Sequence, residues 1–149
     1  MSSEAVLQEA EDYLHREIPI TRLMGVRVTT SDEKQFVVEA PVASNSNHLR
    51  TGFGGSINAV ATLAGYGLVW SALKGQGAHV VVAKSSIRFL RPIQQTIRAV
   101  CLRPGLETWS AFQDRLASEG QASISLAVSV VEGGEVAAEF KGIFVARLG

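Results

Sequence analysis

The residues best equipped for chemistry lie in one run, Asn47-His48-Leu49-Arg50-Thr51-Gly52-Phe53-Gly54-Gly55-Ser56, with Asn58 and Thr62 just beyond it. A glycine pair here opens a long apolar segment. If that segment is a helix, the N–H groups of Gly54 and Gly55 stand at its positive end without intrahelical acceptors. Such donors can hold a developing oxyanion, and glycine lets a carbonyl oxygen approach closely. The competing reading of the pair is tight packing of helix on strand. Hydrolysis of an activated acyl group suits the first reading, with Gly55 N–H polarising the carbonyl, and it also needs a placed or activated water.

The second requirement is thinly met. General bases are usually carboxylates or imidazoles, and residues 40–106 offer only His48 and His79. Asn47 could orient water through its amide, or bond its own loop backbone as an Asx turn. His48 could serve as base, or be an ordinary exposed loop histidine. Asn58 and Thr62 are four apart and share a helical face, open to a ligand or to buried backbone groups. Arg88 and Arg91 flank Phe89 and could grip phosphates, or be plain edge arginines. Phe53, Tyr66 and Trp70 could line an acyl tunnel or fill the core.

Other chemistries fail on spacing. Gly54-Gly55-Ser56-Ile57-Asn58 lacks the last glycine of a nucleophile elbow. Gly52-Phe53-Gly54-Gly55 has neither dinucleotide nor phosphate-loop spacing. His15, His48 and His79 lie far apart with no cysteine nearby, so no metal and no cofactor is expected. Basic residues do not interleave with aromatics along a helix, and nucleic acid is a poor partner.

The elements that must position these groups read as follows. Residues 3–17 carry a helical apolar spacing that Pro19 ends. Residues 25–31 and 35–42 alternate around Ser31-Asp32-Glu33-Lys34, predicting a hairpin. A polar loop, 43–52, leads to residues 54–73, small or apolar all round and so predicted to be a helix buried on every side. Its glycines and alanines would admit close approach of other backbone. Strands are predicted at 79–90 and 96–102, a short helix at 109–118, and a last hairpin from 121–131 and 135–147. Several antiparallel strands curled around one apolar helix would bury it economically.

At 149 residues, 46% hydrophobic and 19% charged, the chain is expected to be one ordered domain, 1–149. The acidic, amphipathic start is no secretory signal, and the run Ile57–Leu73 is short of the ~20 residues of a bilayer span. With its single cysteine, Cys101, the chain is expected in the cytoplasm, away from membranes. Charge is zero overall but unevenly spread. Residues 40–106 hold no acid and seven bases, Arg50, Lys74, Lys84, Arg88, Arg91, Arg98 and Arg103; the flanks hold the other seven bases and all 14 acids. A positive middle suits an anionic ligand, unless these are scattered solvated positions.

This order of elements, with Phe53-Gly54-Gly55-Ser56 opening the buried helix and Ile87-Arg88-Phe89-Leu90-Arg91-Pro92-Ile93 closing the long strand, resembles the hotdog-fold thioesterases. It is most similar to the thioesterase domain at the C-terminal end of YiiD-like proteins, also through Leu23-Met24-Gly25-Val26. The resemblance implies an α+β hotdog fold, a curved antiparallel sheet around a long central helix. It also implies a homodimer, or a tetramer made of paired dimers, whose sites take residues from both chains, and an acyl-CoA or acyl-ACP thioester as substrate. The phenylacetyl-CoA thioesterase branch uses a motif N-x-x-G-x-x-H-G-G and a helical carboxylate. Laid on this chain, Asn47, Gly54 and Gly55 match, while Arg50 replaces the first Gly, Phe53 the His and Thr62 the carboxylate. The expected catalytic set is therefore Asn47, Gly55 and Thr62. Substrate contacts are expected from His48, Phe53, Gly54, Ser56, Asn58, Arg88 and Arg91. A silent acyl-binding module that supports fatty-acid or polyketide-type biosynthesis is the alternative. A dehydratase ranks last, because its His–carboxylate pair is missing.

Overall fold

The computed structural model describes residues 3–149. Helix α1 (Ser3–Glu17) buries Ala10 and Leu14. Pro19 does more than end it: with φ −55° it leads into a single turn, α2 (Ile20–Leu23), since proline's fixed φ suits a helix start. Strands β1 (Arg27–Ser31) and β2 (Gln35–Pro41) form the predicted hairpin. Asp32 Oδ1 accepts the N–H groups of Lys34 and Gln35 at 2.8 and 2.9 Å, which fixes the turn. Then come α3 (Gly54–Ala72), β3 (Ala78–Phe89), β4 (Thr96–Leu102), α4 (Leu106–Glu119), β5 (Gln121–Glu132) and β6 (Glu135–Leu148). The last short helix starts three residues before its predicted Trp109, and those added residues, Leu106, Glu107 and Thr108, are all exposed.

The six strands form one antiparallel sheet in the order β1-β2-β4-β5-β6-β3, leaving β1 and β3 as edges. Strand β5 alternates strictly, burying Ala122, Ile124, Leu126, Val128 and Val130 against the core. Helix α3 touches five of the six strands, β2 to β6, so the sheet wraps around it. No helix among the described residues is long and apolar enough to cross a membrane.

Two expectations for α3 need correction. It is not buried on every side: Asn58, Thr62, Tyr66 and Trp70, each four residues on, form a half-exposed stripe. The sheet covers one side of a cylinder, and the stripe is the other. Nor do its glycines admit backbone. A Cβ on Gly65 would stand 2.5 Å from the ring of Phe144, and one on Gly67 2.1 Å from the ring of Phe36. The glycines are notches for aromatic rings.

In an open helix, Gly→Ala gains about 1 kcal/mol. At Gly67 the added methyl must displace the Phe36 ring, which has 0% exposure and nowhere to go. Gly67→Ala should therefore lower stability by roughly 1–3 kcal/mol in urea unfolding. A midpoint at or above that of the parent would show that the notch is not filled as described.

Candidate functional site

The approach to α3 is built from backbone bonds. Gly52 donates its N–H to Ile93 O and Phe53 to Asn45 O, both at 2.8 Å. Phe53 is extended, with φ −69° and ψ 132°, and its carbonyl accepts the N–H of Ile57 at 2.9 Å, closing the first turn. No side chain caps this end. Among the described residues, the N–H groups of Gly54, Gly55 and Ser56 have no acceptor. Gly55 is exposed and Gly54 half-buried. The rings of Phe53 and Phe89 flank the two glycines, 54% and 53% exposed, giving the amide end apolar walls.

Sequence reasoning chose Asn47 and missed Asn45. Asn45 is 4% exposed, and its Nδ2 donates to the carbonyls of Met24 and Pro41, both at 2.8 Å. Its own carbonyl holds Phe53. Both asparagines sit in the same polar loop, and no periodicity there marks which one turns inward. Asn47 staples that loop: its Oδ1 accepts the N–H of Leu49 at 2.9 Å and of Thr51 at 3.2 Å, and Nδ2 donates to Thr51 Oγ1 at 3.0 Å. That is the Asx-type alternative, realised. Arg50, standing where the motif has glycine, has φ 62°. The position demands the left-handed region, which costs a non-glycine residue about 1–2 kcal/mol. His48 beside it is exposed.

Thr62 Oγ1 donates to Asn58 O at 2.8 Å, while Asn58 Oδ1 is buried without a partner among the described residues. Tyr66 and Trp70 lie toward the far end of α3, roughly 20–25 Å from Phe53 along the helix axis. Tyr13 of α1 covers them, stacking on Trp70 at 4.4 Å and meeting the Tyr66 hydroxyl at 3.0 Å. Burial, then the Tyr13 hydroxyl, pushes the Tyr66 phenol well above its ordinary range. An acyl tunnel lined by Phe53, Tyr66 and Trp70 together is therefore corrected: α1 occupies that part of the helix surface.

Folding also cancels much of the charge segregation. Lys74 pairs with Glu9, Arg91 with Glu135, and Arg98 with Glu39 at 3.4 Å; Arg103 lies over the Trp109 ring at 4.7 Å. Of the seven central bases, Arg50, Lys84 and Arg88 have neither carboxylate nor ring among the described residues. Arg91, expected to hold phosphate, is engaged on the surface. Arg88 lies opposite Glu139 across β3 and β6. Partial burial pushes the Glu132 carboxyl up, but bonds from the N–H groups of Gln94, Gln95 and Thr96 outweigh it and hold the group below its ordinary range. Burial raises the Cys101 thiol to about 12, so this cysteine is no nucleophile at neutral pH. No group of three or more His, Cys, Asp or Glu among the described residues could hold a metal ion.

Residues 7–148 match the family model described as "Putative thioesterase (yiiD_Cterm)". A crystal structure of a protein of unknown function from Chlorobaculum tepidum superposes with a TM-score of 0.90 at 24% identity, covering 99% of this chain and 98% of that one. A thioesterase from Shewanella oneidensis, itself so assigned only provisionally, gives 0.85 at 26%, with 98% and 99% covered. A point mutant of the phenylacetic acid degradation protein PaaI from Thermus thermophilus gives 0.62 at 23%, with 87% and 99% covered. The fold is the hotdog fold of these proteins.

The two asparagines separate by experiment. Asn45→Ala strands two carbonyls at a buried site and should cost about 1–3 kcal/mol in urea unfolding. Asn47→Ala, in a half-exposed loop, should cost under about 1 kcal/mol. Equal costs would contradict this division of roles.

Proposed function

The chain belongs to the YiiD-like thioesterase family, and on that footing we propose that it hydrolyses acyl-CoA or acyl-ACP thioesters at a site completed by a second copy of itself. The observation that carries the reading is the open amide end of α3, three N–H donors between two exposed phenylalanines. A thioester carbonyl entering there meets donors in place before charge develops. Water oxygen attacks the carbonyl carbon and gives up a proton to His48 or to solvent, the oxyanion rests on the amides of Gly54 and Gly55, and the C–S bond breaks. The sulfur departs as thiolate, which at an ordinary thiol pKa near 8.5 needs little help from an acid. The products are a carboxylate and a thiol. A thiolate leaving group relaxes the need for a general acid, and activation of the water is left to His48 or to solvent.

In this reading Asn47 orients water and keeps its loop in shape, His48 is the nearest titratable side chain in sequence, and Asn58 and Thr62 of the second copy face the cleft. Ser56 N–H is a further donor. Of the two arginines expected at phosphate, Arg88 is free of a carboxylate partner and Arg91 is paired. Support for a second copy comes from two surfaces. Strand β3 is a twelve-residue edge strand with Val81 and Val82 at 60% and 40% exposure, a ready template for pairing. The Asn58–Thr62 end of the stripe on α3 is also only half covered. A silent acyl-binding module is the second reading, favoured by the engagement of Asn47 with its own loop.

Release of free thiol from a panel of acyl-CoAs separates the two. Hydrolysis predicts turnover that falls at least about tenfold in Asn47→Ala and in Thr62→Ala with the oligomer intact. Binding without thiol release supports the silent module, and unchanged turnover in both variants rejects this site. In sedimentation, the wild type should be dimeric or larger, and Val81→Asp/Val82→Asp monomeric at micromolar concentration. A monomeric wild type would refute pairing through β3.

A further inference from the structure

Glu132, at the end of β5, takes no part in the hydrolysis described above. Its carboxylate accepts three successive backbone N–H groups where the β3–β4 connection enters β4: Gln94 on Oε1 at 2.8 Å, then Gln95 at 2.8 Å and Thr96 at 3.1 Å on Oε2. In a trans peptide the N–H and C=O point opposite ways, and the described chain has no cis bonds. The Gln94 N–H shares its peptide group with Ile93 C=O, which accepts the N–H of Gly52 at 2.8 Å. The Thr96 N–H shares its group with Gln95 C=O, which accepts the N–H of Val42 at 2.9 Å. One carboxylate therefore reaches both ends of segment 42–52, each through a single peptide group. The first relay runs one step further. Gly52 N–H shares its group with Thr51 C=O, which accepts the N–H of Asn47 at 2.8 Å.

Bonds to a charged acceptor are stronger than neutral ones, and each polarises the next in a chain. The grip falls where it matters, since Gly52 leads straight into Phe53 and the free amides of α3. Leu90 and Arg91, both donating to Ala137 O, and Ile93, fully buried, tie the same connection to β6 and the core. We infer that Glu132 is a positioning residue: through the Ile93–Gln94 and Gln95–Thr96 peptide groups it fixes the segment bearing Asn47 and His48 and the entry to the oxyanion-binding end of α3. The placement of the loop stands on geometry alone; its consequence for turnover rests on the thioesterase reading.

Two readouts test it, on Glu132→Gln, which keeps the shape but removes the charge, and on Glu119→Gln, an exposed control on α4. Amide hydrogen exchange by NMR should be at least about tenfold faster at Val42 and Gly52 in Glu132→Gln, with Val128 in mid-sheet unchanged. Thiol release should show kcat down at least about tenfold, with KM within about twofold, and no change in Glu119→Gln. Unchanged exchange at both amides overturns the proposal, as does acceleration shared equally by Val128. Unchanged kcat in a folded Glu132→Gln overturns it too. If the wild type releases no thiol, the thioesterase reading fails and exchange alone decides the positioning role. If Glu132→Gln does not fold, Glu132→Asp, which keeps the charge but shortens the reach, takes its place under the same criteria.

Discussion

Helix α3 exists because phenylalanine rings fill its glycine notches. Gly65 and Gly67 lie inside the helix and cost it about 1 kcal/mol each, so by propensity this is a weak helix. The rings of Phe36 and Phe144, both at full burial, each bring roughly 1.5–3 kcal/mol of transfer free energy, and they reach that depth only because no Cβ stands in the way. The burial term is the larger. The helix is held by its sheet, and the sheet is folded around its helix. At the helix start the same device recurs with a different outcome. Gly54 and Gly55 are flanked by Phe89 and Phe53, but these rings stay exposed, so the notch opens outward instead of closing.

That difference makes the site. A helix N-terminus leaves donors free in any protein, and most are capped by a side chain or by water. Here Phe53 occupies the cap position and has nothing to offer, while Gly52 and Phe53 spend their own N–H groups on Ile93 and Asn45. The entry is rigid and the next three amides are open. Two buried or anchored polar groups, Asn45 and Glu132, sustain this, and neither needs to touch a substrate.

The charges tell a similar story of relocation. Three of the seven central cations meet acids from the flanks, in exposed or half-exposed pairs each worth about 0–1 kcal/mol. Their effect on stability is small, but they weaken the electrostatic argument for a broadly positive cleft. Arg88, on the edge strand, keeps its charge free of such pairing.

Element type was legible from the sequence because its signals are local. Alternation gave away β5, the Ser31–Lys34 turn announced the first hairpin, and the small-residue run with its glycine opening marked α3. Motif spacing likewise singled out Gly54 and Gly55. What the sequence could not reveal was which polar group meets which. Asn45 and Asn47 look alike in a loop, yet one turns inward to two carbonyls and the other staples its own turn. Arg50 adopts a backbone conformation that belongs to glycine. Glu132 finds its partners 36 to 38 residues away. Tyr13 claims the aromatic end of α3 from another helix. Hydrogen bonds and ion pairs act over a few ångströms in space and are indifferent to distance along the chain, so only the packed structure could assign them.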